Sequence, residues 1–434
     1  MKVTSFPKND HSNGWYNGVG DQPPASVLHG DSTADWVVVG GGFSGLAAAR
    51  RLGELRPDDR VVLLEAGRIG ENASGRNSGF VIDLPHAISQ EQPEHDHRQI
   101  RVNRMAIAWL AELIEQHQIR CQWSHRGKVH VAATNRGRRN LEVMASRLGG
   151  LGEVHELWDA ARLKTYLGTD YFNFGLFTPG CILMQPAALV TGLARSMPEN
   201  VEVYEDSAVV AFDDGPSKIL TTAGGSVTTP QVVLSTNGWT PGFGFLKHQL
   251  LTMHTFASLT RPLTESEQVA LGGEGDWGTI PSTLGATTMR YTQDKRLLIR
   301  RSLRHRPDFT IRPDDHDSIR REHEETLKKR FPMVPDVGFE DTWGGVLCMS
   351  RNHVPKCGAL ADGIWAAVCQ NGVGAAKGTI SGRAVAELAA GEDTDLVADM
   401  TAYEDLQRFP PSWITAPVFR AKIAYARLTA GAEA

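Results

Sequence analysis

The first abrupt change in the pattern of apolar and polar positions comes at residue 34, where a Gly-, Pro-, Asn- and Asp-rich stretch gives way to Ala34-Asp35-Trp36-Val37-Val38-Val39. A short, nearly unbroken apolar run of this kind predicts a strand covered on both faces. Phe43 to Leu52 follows as a helix rich in Ala and Leu, and Val61-Val62-Leu63-Leu64 repeats the buried-strand pattern. Strand, helix and strand with short links make a βαβ unit, with parallel pairing and a right-handed crossover. Residues 1–32, anchored by Trp15 and Tyr16, read as an irregular lead-in across the surface.

Further on, Met105 to His117 carries Ile107, Leu110, Leu113 and Ile114 at helical spacing, and Lys128 to Ala133 is strand-like. Strand patterns return at Val201–Tyr204, Ala208–Phe212 and Gln231–Thr236, the last ending in a turn at Gly238. Between about 246 and 340, strands alternate with a highly charged helical stretch, Asp317 to Arg330. Ile364 to Val368 is a strand that runs through Gly372 and Gly374 into a helix ending near Gly391. The pattern predicts an α/β chain whose Rossmann-type domain is discontinuous, spanning 33–95, 150–245 and 341–391. A second, α+β domain on a mostly antiparallel sheet is expected from 96–149 and 246–340, with a helical tail over 392–434.

With 434 residues, 41% of them hydrophobic, the chain is long enough for two packed cores. A formal charge of −5 gives no broad basic field, so neither nucleic acid nor a membrane is indicated as a partner, and a small molecule is. The five cysteines lack C-x-x-C spacing and are expected to be buried free thiols. His95-Asp96-His97 and Asp314-Asp315-His316-Asp317 resemble metal ligands by composition only and are read as solvated loops, so no metal site is expected. The first residues lack the apolar core of a signal peptide and no run reaches the ~20 apolar residues needed to span a bilayer, which places the protein in the cytoplasm.

The chemistry is carried first by Gly40-Gly41-Gly42-Phe43-Ser44-Gly45, a G-x-G-x-x-G between a hydrophobic strand and a helix. Gly40 permits the tight turn, Gly42 lets the backbone approach a pyrophosphate, and Gly45 lets helix and strand pack closely. The helix N-terminus then offers free N–H groups and partial positive charge to phosphates. Glu65 ends the second strand about 20 residues beyond Gly45, where a carboxylate accepts from ribose hydroxyls. This motif suits NAD and FAD alike. The loop from Arg68 to Gly79 extends the unit with small and polar residues, and Asn371-Gly372-Val373-Gly374-Ala375-Ala376 leads into a late helix whose N-terminus would stabilise negative charge on a reduced flavin.

Together these residues resemble the FAD-dependent amine and amino-acid oxidoreductases that include D-amino acid, glycine and sarcosine oxidases. Gly70 to Gly79, Gln185-Pro186, Trp343-Gly344-Gly345, Gly382-Arg383 and Gly14-Trp15-Tyr16 are most similar to the gamma-glutamylputrescine oxidase-like branch. The resemblance implies that Ala73, Ser74, Gly75, Arg76 and Asn77 lie along the pyrophosphate and flavin, and that Val209 contacts adenine through its backbone. Ser235, Thr236, Asn237 and Gly238 would pass near the dinucleotide and Gly372, Val373, Gly374, Ala375 and Ala376 near the flavin ring. Phe43, Ser44, Ala66, Arg68 and Ser78 are also expected at the cofactor. Three departures stand out: Gly345 replaces the cysteine that sarcosine oxidases attach to flavin, Leu347 replaces the carboxylate-binding arginine of glycine oxidases, and Asn371-Gly372-Val373-Gly374 lacks the usual histidine. Non-covalent FAD is therefore expected.

The resemblance implies oxidation of a carbon–nitrogen bond in a small amine or amino acid by hydride transfer to flavin, giving an imine that hydrolyses, with electrons passed to oxygen or another acceptor. His254, Phe256 and Ser258 alternate with Met253, Thr255 and Ala257 on a predicted strand, one face of which should cover the flavin. His254, Phe256 and Trp343 are the candidate catalytic residues, with a satisfied structural histidine as the plainer reading of His254 and core filling as the alternative for Trp343. Arg290 and Arg300 on a neighbouring strand are candidates for a substrate carboxylate, with solvent exposure as the plainer reading. A flavin-binding subunit without turnover and an NAD-dependent dehydrogenase are the competing readings. All of this requires the Gly40 turn and the segment at Gly372 to meet at one pocket.

Overall fold

The computed structural model describes residues 1–85, 88, 93–283, 285–306 and 309–433. Its centre is a six-stranded sheet in the order Lys356–Ala361, Ile364–Val368, Gln231–Leu234, Trp36–Val39, Val61–Leu64 and Val201–Tyr204. All neighbours are parallel except the first edge pair. The two strands of the βαβ unit pair from Trp36↔Val61 to Val39↔Leu64. Their apolar runs are unbroken because both faces are covered. Trp36, Val38, Val61 and Leu63 pack with Phe43, Leu46 and Leu52 of the helix Phe43–Leu55 and with Ile380 and Ala384 of the helix Gly374–Ala389. Val37, Val39, Val62 and Leu64 pack instead on Phe212, Leu220 and Val227 of a four-stranded sheet, Gly30–Thr33, Gly225–Thr229, Lys218–Thr221 and Ala211–Asp213.

The second large sheet has eight strands, ordered Phe339–Met349, Leu251–Thr260, Leu297–Arg304, Thr288–Tyr291, Trp277–Pro281, Lys128–Ala132, Phe174–Thr178 and Glu156–Asp159. Every pair in it is antiparallel except Trp277–Pro281 with Lys128–Ala132. Met289, Tyr291, Leu297 and Ile299 pack on Leu327 and Phe331, at the end of the charged helix Pro313–Arg330. The boundaries expected at 150 and 341 cut through this sheet: Glu156–Asp159, Phe174–Thr178 and Phe339–Met349 all belong to it. The cause is topological, since strand patterns show which residues are extended but not which partner each edge finds.

Two further expectations change. The lead-in is tied down rather than draped, with Val3 N donating to Val210 O at 2.9 Å and Trp15 Nε1 to Asn77 O at 2.9 Å. His95, Asp96 and His97 lie in the helix Pro93–Gln116, and Asp314 to Asp317 in the helix Pro313–Arg330, because Pro and acidic residues favour a first helical turn. All five cysteines are buried and unpaired as disulfides. Among the described residues, no three His, Cys, Asp or Glu side chains are grouped to hold a metal, and no helix is long and apolar enough to cross a membrane.

His323 is buried under the second sheet, its Nδ1 2.8 Å from Ser258 Oγ, and burial pushes its pKa down to about 3. The folded protein therefore keeps this imidazole neutral while the unfolded chain protonates it near pH 6.5. Stability is fully present above that pH and is lost as pH falls toward 3, at up to roughly 1.4 kcal/mol per unit from this group. Melting temperatures measured across that range should fall less steeply for His323→Gln than for the parent.

Candidate active site

The Gly40–Gly45 turn is built as close packing demands. Gly40 sits at φ +104°, and a Cβ placed on Gly45 would lie 1.7 Å from the Gly40 carbonyl oxygen. A Cβ on Gly42 would lie 2.6 Å from Ser74 Oγ, which accepts from Phe43 N at 3.1 Å. The helix Phe43–Leu55 has Gly42 as its N-cap and no side chain capping from that position. Glu65 is 7% exposed; Oε2 accepts from Gly41 N at 2.6 Å, and Oε1 from Gly67 N at 3.2 Å and Asn72 Nδ2 at 3.3 Å. Burial raises its pKa, and these N–H groups pull the other way. A carboxylate has about four acceptor sites, so capacity remains for a ribose hydroxyl.

The 70–79 loop is held by Arg76, whose guanidinium is buried. Its Nη1 donates to Gly344 O at 2.9 Å and its Nη2 to Asp10 Oδ1 at 2.6 Å. Trp343 Nε1 in turn donates to the Arg76 carbonyl at 3.0 Å. Asn13 of the lead-in donates to Gly70 O at 3.0 Å and Gly75 O at 3.3 Å.

The decisive contact joins the two glycine turns. Gln370 Nε2 donates to Ser44 Oγ at 2.8 Å, and a Cβ on Gly382 would lie 2.0 Å from Ser44 O, so the start of the helix Phe43–Leu55 touches both the turn before the helix Gly374–Ala389 and that helix's middle. Gly372 turns the chain at φ +84°, and the late helix begins with Val373 as an N-cap that offers no side-chain bond. Both turns line a single cavity of about 680 Å³ that continues across to the eight-stranded sheet.

Of the expected cofactor residues, Gly40, Gly42, Phe43, Ser44, Glu65, Ala66, Arg68, Ala73, Ser74, Arg76, Asn77, Ser78, Val209, Thr236, Asn237, Gly372, Gly374 and Ala375 line this cavity. Gly45, Gly75, Gly238, Val373 and Ala376 lie outside its lining. Gly45 and Gly75 serve packing, since a Cβ on Gly75 would meet Gly70 O at 1.8 Å. Gly238 is backed by Thr252, whose Cγ2 would stand 2.6 Å from a Cβ there.

The candidate catalytic residues divide. Phe256 lines the cavity with Met253, Thr255 and Ala257, beside a register shift between His254 and Phe256 against the strand Leu297–Arg304. His254 is fully buried outside the cavity, so its place among the candidate catalytic residues is corrected. Ser258 is turned the same way, its hydroxyl on His323. Trp343 is also fully buried outside the lining, with its ring edge toward Trp15 at 6.3 Å between centroids. It pins the Arg76 carbonyl instead of walling the pocket. Trp343→Phe removes that donor alone and should weaken cofactor retention by about 1 kcal/mol, several-fold in Kd, read by flavin titration.

Arg290 and Arg300 are not solvent-exposed arginines. Arg290 is fully buried and donates to Ser78 O, Gly79 O and Met184 O at 3.2, 2.9 and 2.6 Å, so it is consumed in joining the domains. Arg300 lines the cavity, and among the described residues no hydrogen bond or ion pair engages its guanidinium, whose pKa burial lowers. Its neighbour Arg301 is paired with Glu322 at 3.1 Å. Lining residues that sequence reasoning missed include Ser5, Phe6, Trp239, Met144 and His353. Only Phe6 carried a signal, as an apolar side chain in a polar lead-in.

The residues fit a flavin dinucleotide. Ser235 Oγ, Trp239 Nε1, Thr255 Oγ1 and Gln370 Oε1 are buried on this cavity without a hydrogen-bond partner among the described residues, as expected of groups that meet a large polar ligand. A dinucleotide cradle on a parallel sheet, roofed by a large antiparallel sheet, defines a two-domain flavoprotein. Residues 35–388 match the family described as FAD dependent oxidoreductase, and the chain belongs to it and is an FAD-dependent enzyme.

Similar proteins include the probable oxidoreductase OrdL of Haemophilus influenzae, 27% identical over 412 residues, covering 91% of this chain and 92% of that one. The gamma-glutamylputrescine oxidoreductase of Escherichia coli is 26% identical over 408 residues, covering 91% and 93%. Among solved structures, glycine oxidase from Geobacillus kaustophilus superposes with a TM-score of 0.72 at 17% identity, covering 86% of this chain and all (100%) of that one. This last likeness shows the fold.

Proposed function

We propose that the protein oxidises the carbon–nitrogen bond of a small amine that bears an acidic group, bound in the cavity between the two large sheets. The observation that carries this reading is Arg300, a cavity-lining arginine with no protein acceptor among the described residues. A guanidinium so placed matches a carboxylate in charge and in its two-pronged geometry. Leu347, also on the cavity, supplies no such group, so the acid would be held from the strand Leu297–Arg304. The names of the relatives, a gamma-glutamylputrescine oxidoreductase and a glycine oxidase, support an amine or amino acid as substrate.

Bound FAD supplies the acceptor for the hydride that leaves the carbon beside nitrogen. The chain's share is to bind, orient and keep the site dry. Met253, Phe256, Val346 and Leu347 present apolar surface, which favours the neutral amine whose lone pair assists hydride departure. The resulting imine hydrolyses in water, and the electrons pass to oxygen or another acceptor. The uncapped start of the helix Gly374–Ala389 directs N–H groups toward the cavity, where negative charge on the reduced ring would be stabilised. Cys348, the thiol on the cavity, is held well above its ordinary pKa by the neighbouring Cys369 thiol and by burial, which disfavours the thiolate that covalent flavin attachment would use. Non-covalent cofactor follows.

Anaerobic addition of amines tests the proposal. The yellow holoprotein should bleach with acid-bearing amines such as N-methyl amino acids or γ-glutamyl-amines, and release its flavin on denaturation. Equal bleaching by acid-bearing and uncharged amines would remove Arg300 from the argument, and no bleaching with any amine would overturn the function.

A further inference from the structure

The described residues leave eleven large apolar side chains exposed, and five of them lie on one element, the helix Ser412–Ala430 near the C-terminus. Trp413, Val418, Tyr425 and Leu428 are 75, 63, 65 and 84% exposed, with Ile414 beside them. The helix is not loose. Phe419 stacks edge-on against His305 at 5.6 Å, and Ala426 covers Gly285. Just past its end, Glu433 Oε1 accepts from Ala133 N and Thr134 N at 3.0 and 2.9 Å. Its inner face is thus fixed, and the fold holds the apolar face outward.

At helical spacing, Trp413, Pro417, Ala421, Ala424 and Leu428 form one stripe, with Ile414, Val418 and Tyr425 directly beside it. Arg420 and Arg427 border this face on one side and Lys422 on the other. No acidic residue occurs anywhere in the helix, although the whole chain carries a formal charge of −5. Arg427 has one distant partner, Glu322 at 3.5 Å. The adjoining helix Asn135–Gly150, joined through Arg136 Nη1 to Thr429 O, adds exposed Arg136 and Arg139.

From this arrangement we infer that the helix Ser412–Ala430 docks the enzyme on the surface of an anionic lipid bilayer, lying in the interfacial plane. An apolar face with Trp and Tyr, flanked by cations long enough to reach lipid headgroups, is the composition such a site needs. The charge pattern selects this occupant over a second copy of the chain, because a two-fold contact would set the arginine and lysine rows of two identical helices against each other. A net-charge argument misses the site because these few basic residues are a local group in a chain whose formal charge is −5. The same helix lies against the cavity's wall, since Gly285, covered by Ala426, is on its lining.

Flotation of the flavin-loaded full chain with extruded vesicles tests this. The protein should float with phosphatidylcholine vesicles containing phosphatidylglycerol, poorly with phosphatidylcholine alone, and less as salt rises. Trp413→Ser with Val418→Ser and Leu428→Ser should reduce the bound fraction at least about tenfold while anaerobic bleaching in solution is unchanged. Arg420→Gln with Lys422→Gln should abolish the preference for anionic lipid. Failure of the parent protein to float with either vesicle would overturn the inference, as would unchanged flotation of both variants. So would a parent dimer in light scattering that the serine variant converts to monomer.

Discussion

Gly45→Ala is expected to yield protein without bound flavin, with cofactor affinity reduced by about 100-fold or more. The added methyl would stand 1.7 Å from the Gly40 carbonyl oxygen and 3.4 Å from Ser235 Cβ, and the first of these is backbone, which cannot rotate aside. Either the helix Phe43–Leu55 moves off the sheet or the Gly40–Gly42 turn opens. Both separate the backbone N–H groups that would hold the phosphates from Glu65, which is bonded to Gly41 N. Overpacking of this kind costs about 1–3 kcal/mol even against side chains, and every part of it falls on the cofactor cradle. Gly67→Ala is the matched control: its Cβ would meet nothing nearer than Asn72 Nδ2 at 3.8 Å, so that variant should remain yellow. Flavin content per chain, with far-UV circular dichroism to confirm folding, measures both. A fully yellow Gly45→Ala protein would contradict the close-packing role given to this glycine.

The contrast between those two glycines shows what sequence could reveal about the fold. Gly40, Gly42 and Gly45 were legible because strand, glycine turn, helix and acid occur at fixed spacing within one local unit, and each position has a steric reason. The late strand and helix at 364–389 were legible for the same local reason. Their meeting with the first unit, through Gln370 and Ser44, was an expectation from resemblance, because nothing local specifies a contact across 326 residues. The alternation at 253–258 left open which face is which. It identified two faces of the strand correctly as a period, but which face meets the cofactor depends on the packing of the helix Pro313–Arg330 on the other side, where Ser258 meets His323. His254 is titratable, but its burial outside the cavity supports the plainer reading of a structural histidine.

Trp343 and Arg290 illustrate a second limit. The pattern leaves Trp343 between pocket wall and core and Arg290 between ligand and solvent, and the structure spends their polar groups on backbone carbonyls of the 76–79 segment. A cofactor loop made of small residues has too few side chains to hold itself, so its carbonyls recruit donors from the second sheet and the lead-in. Asn13, Trp15, Arg76, Arg290 and Trp343 form that scaffold. Their effect on activity should therefore appear as weaker flavin retention, whereas a group that meets the substrate should change turnover at full flavin occupancy.

Arg300→Gln provides that second kind of test and carries the other large effect. With the guanidinium removed, an acid-bearing amine loses a charge-assisted, partly desolvated contact of the sort whose truncation costs about 2–5 kcal/mol. The expected result is a fall in kcat/KM of roughly 100-fold or more, appearing chiefly in KM, since the residue holds a group remote from the reacting carbon. Flavin content should be unchanged. An otherwise similar uncharged amine should react with parent and variant at rates within a few-fold. Arg300→Lys, keeping the charge but losing the planar fork, should recover only part of the loss. If Arg300→Gln instead bleaches as fast as the parent with every acid-bearing amine, the substrate's anionic end lies elsewhere in the cavity and the arginine is a structural cation.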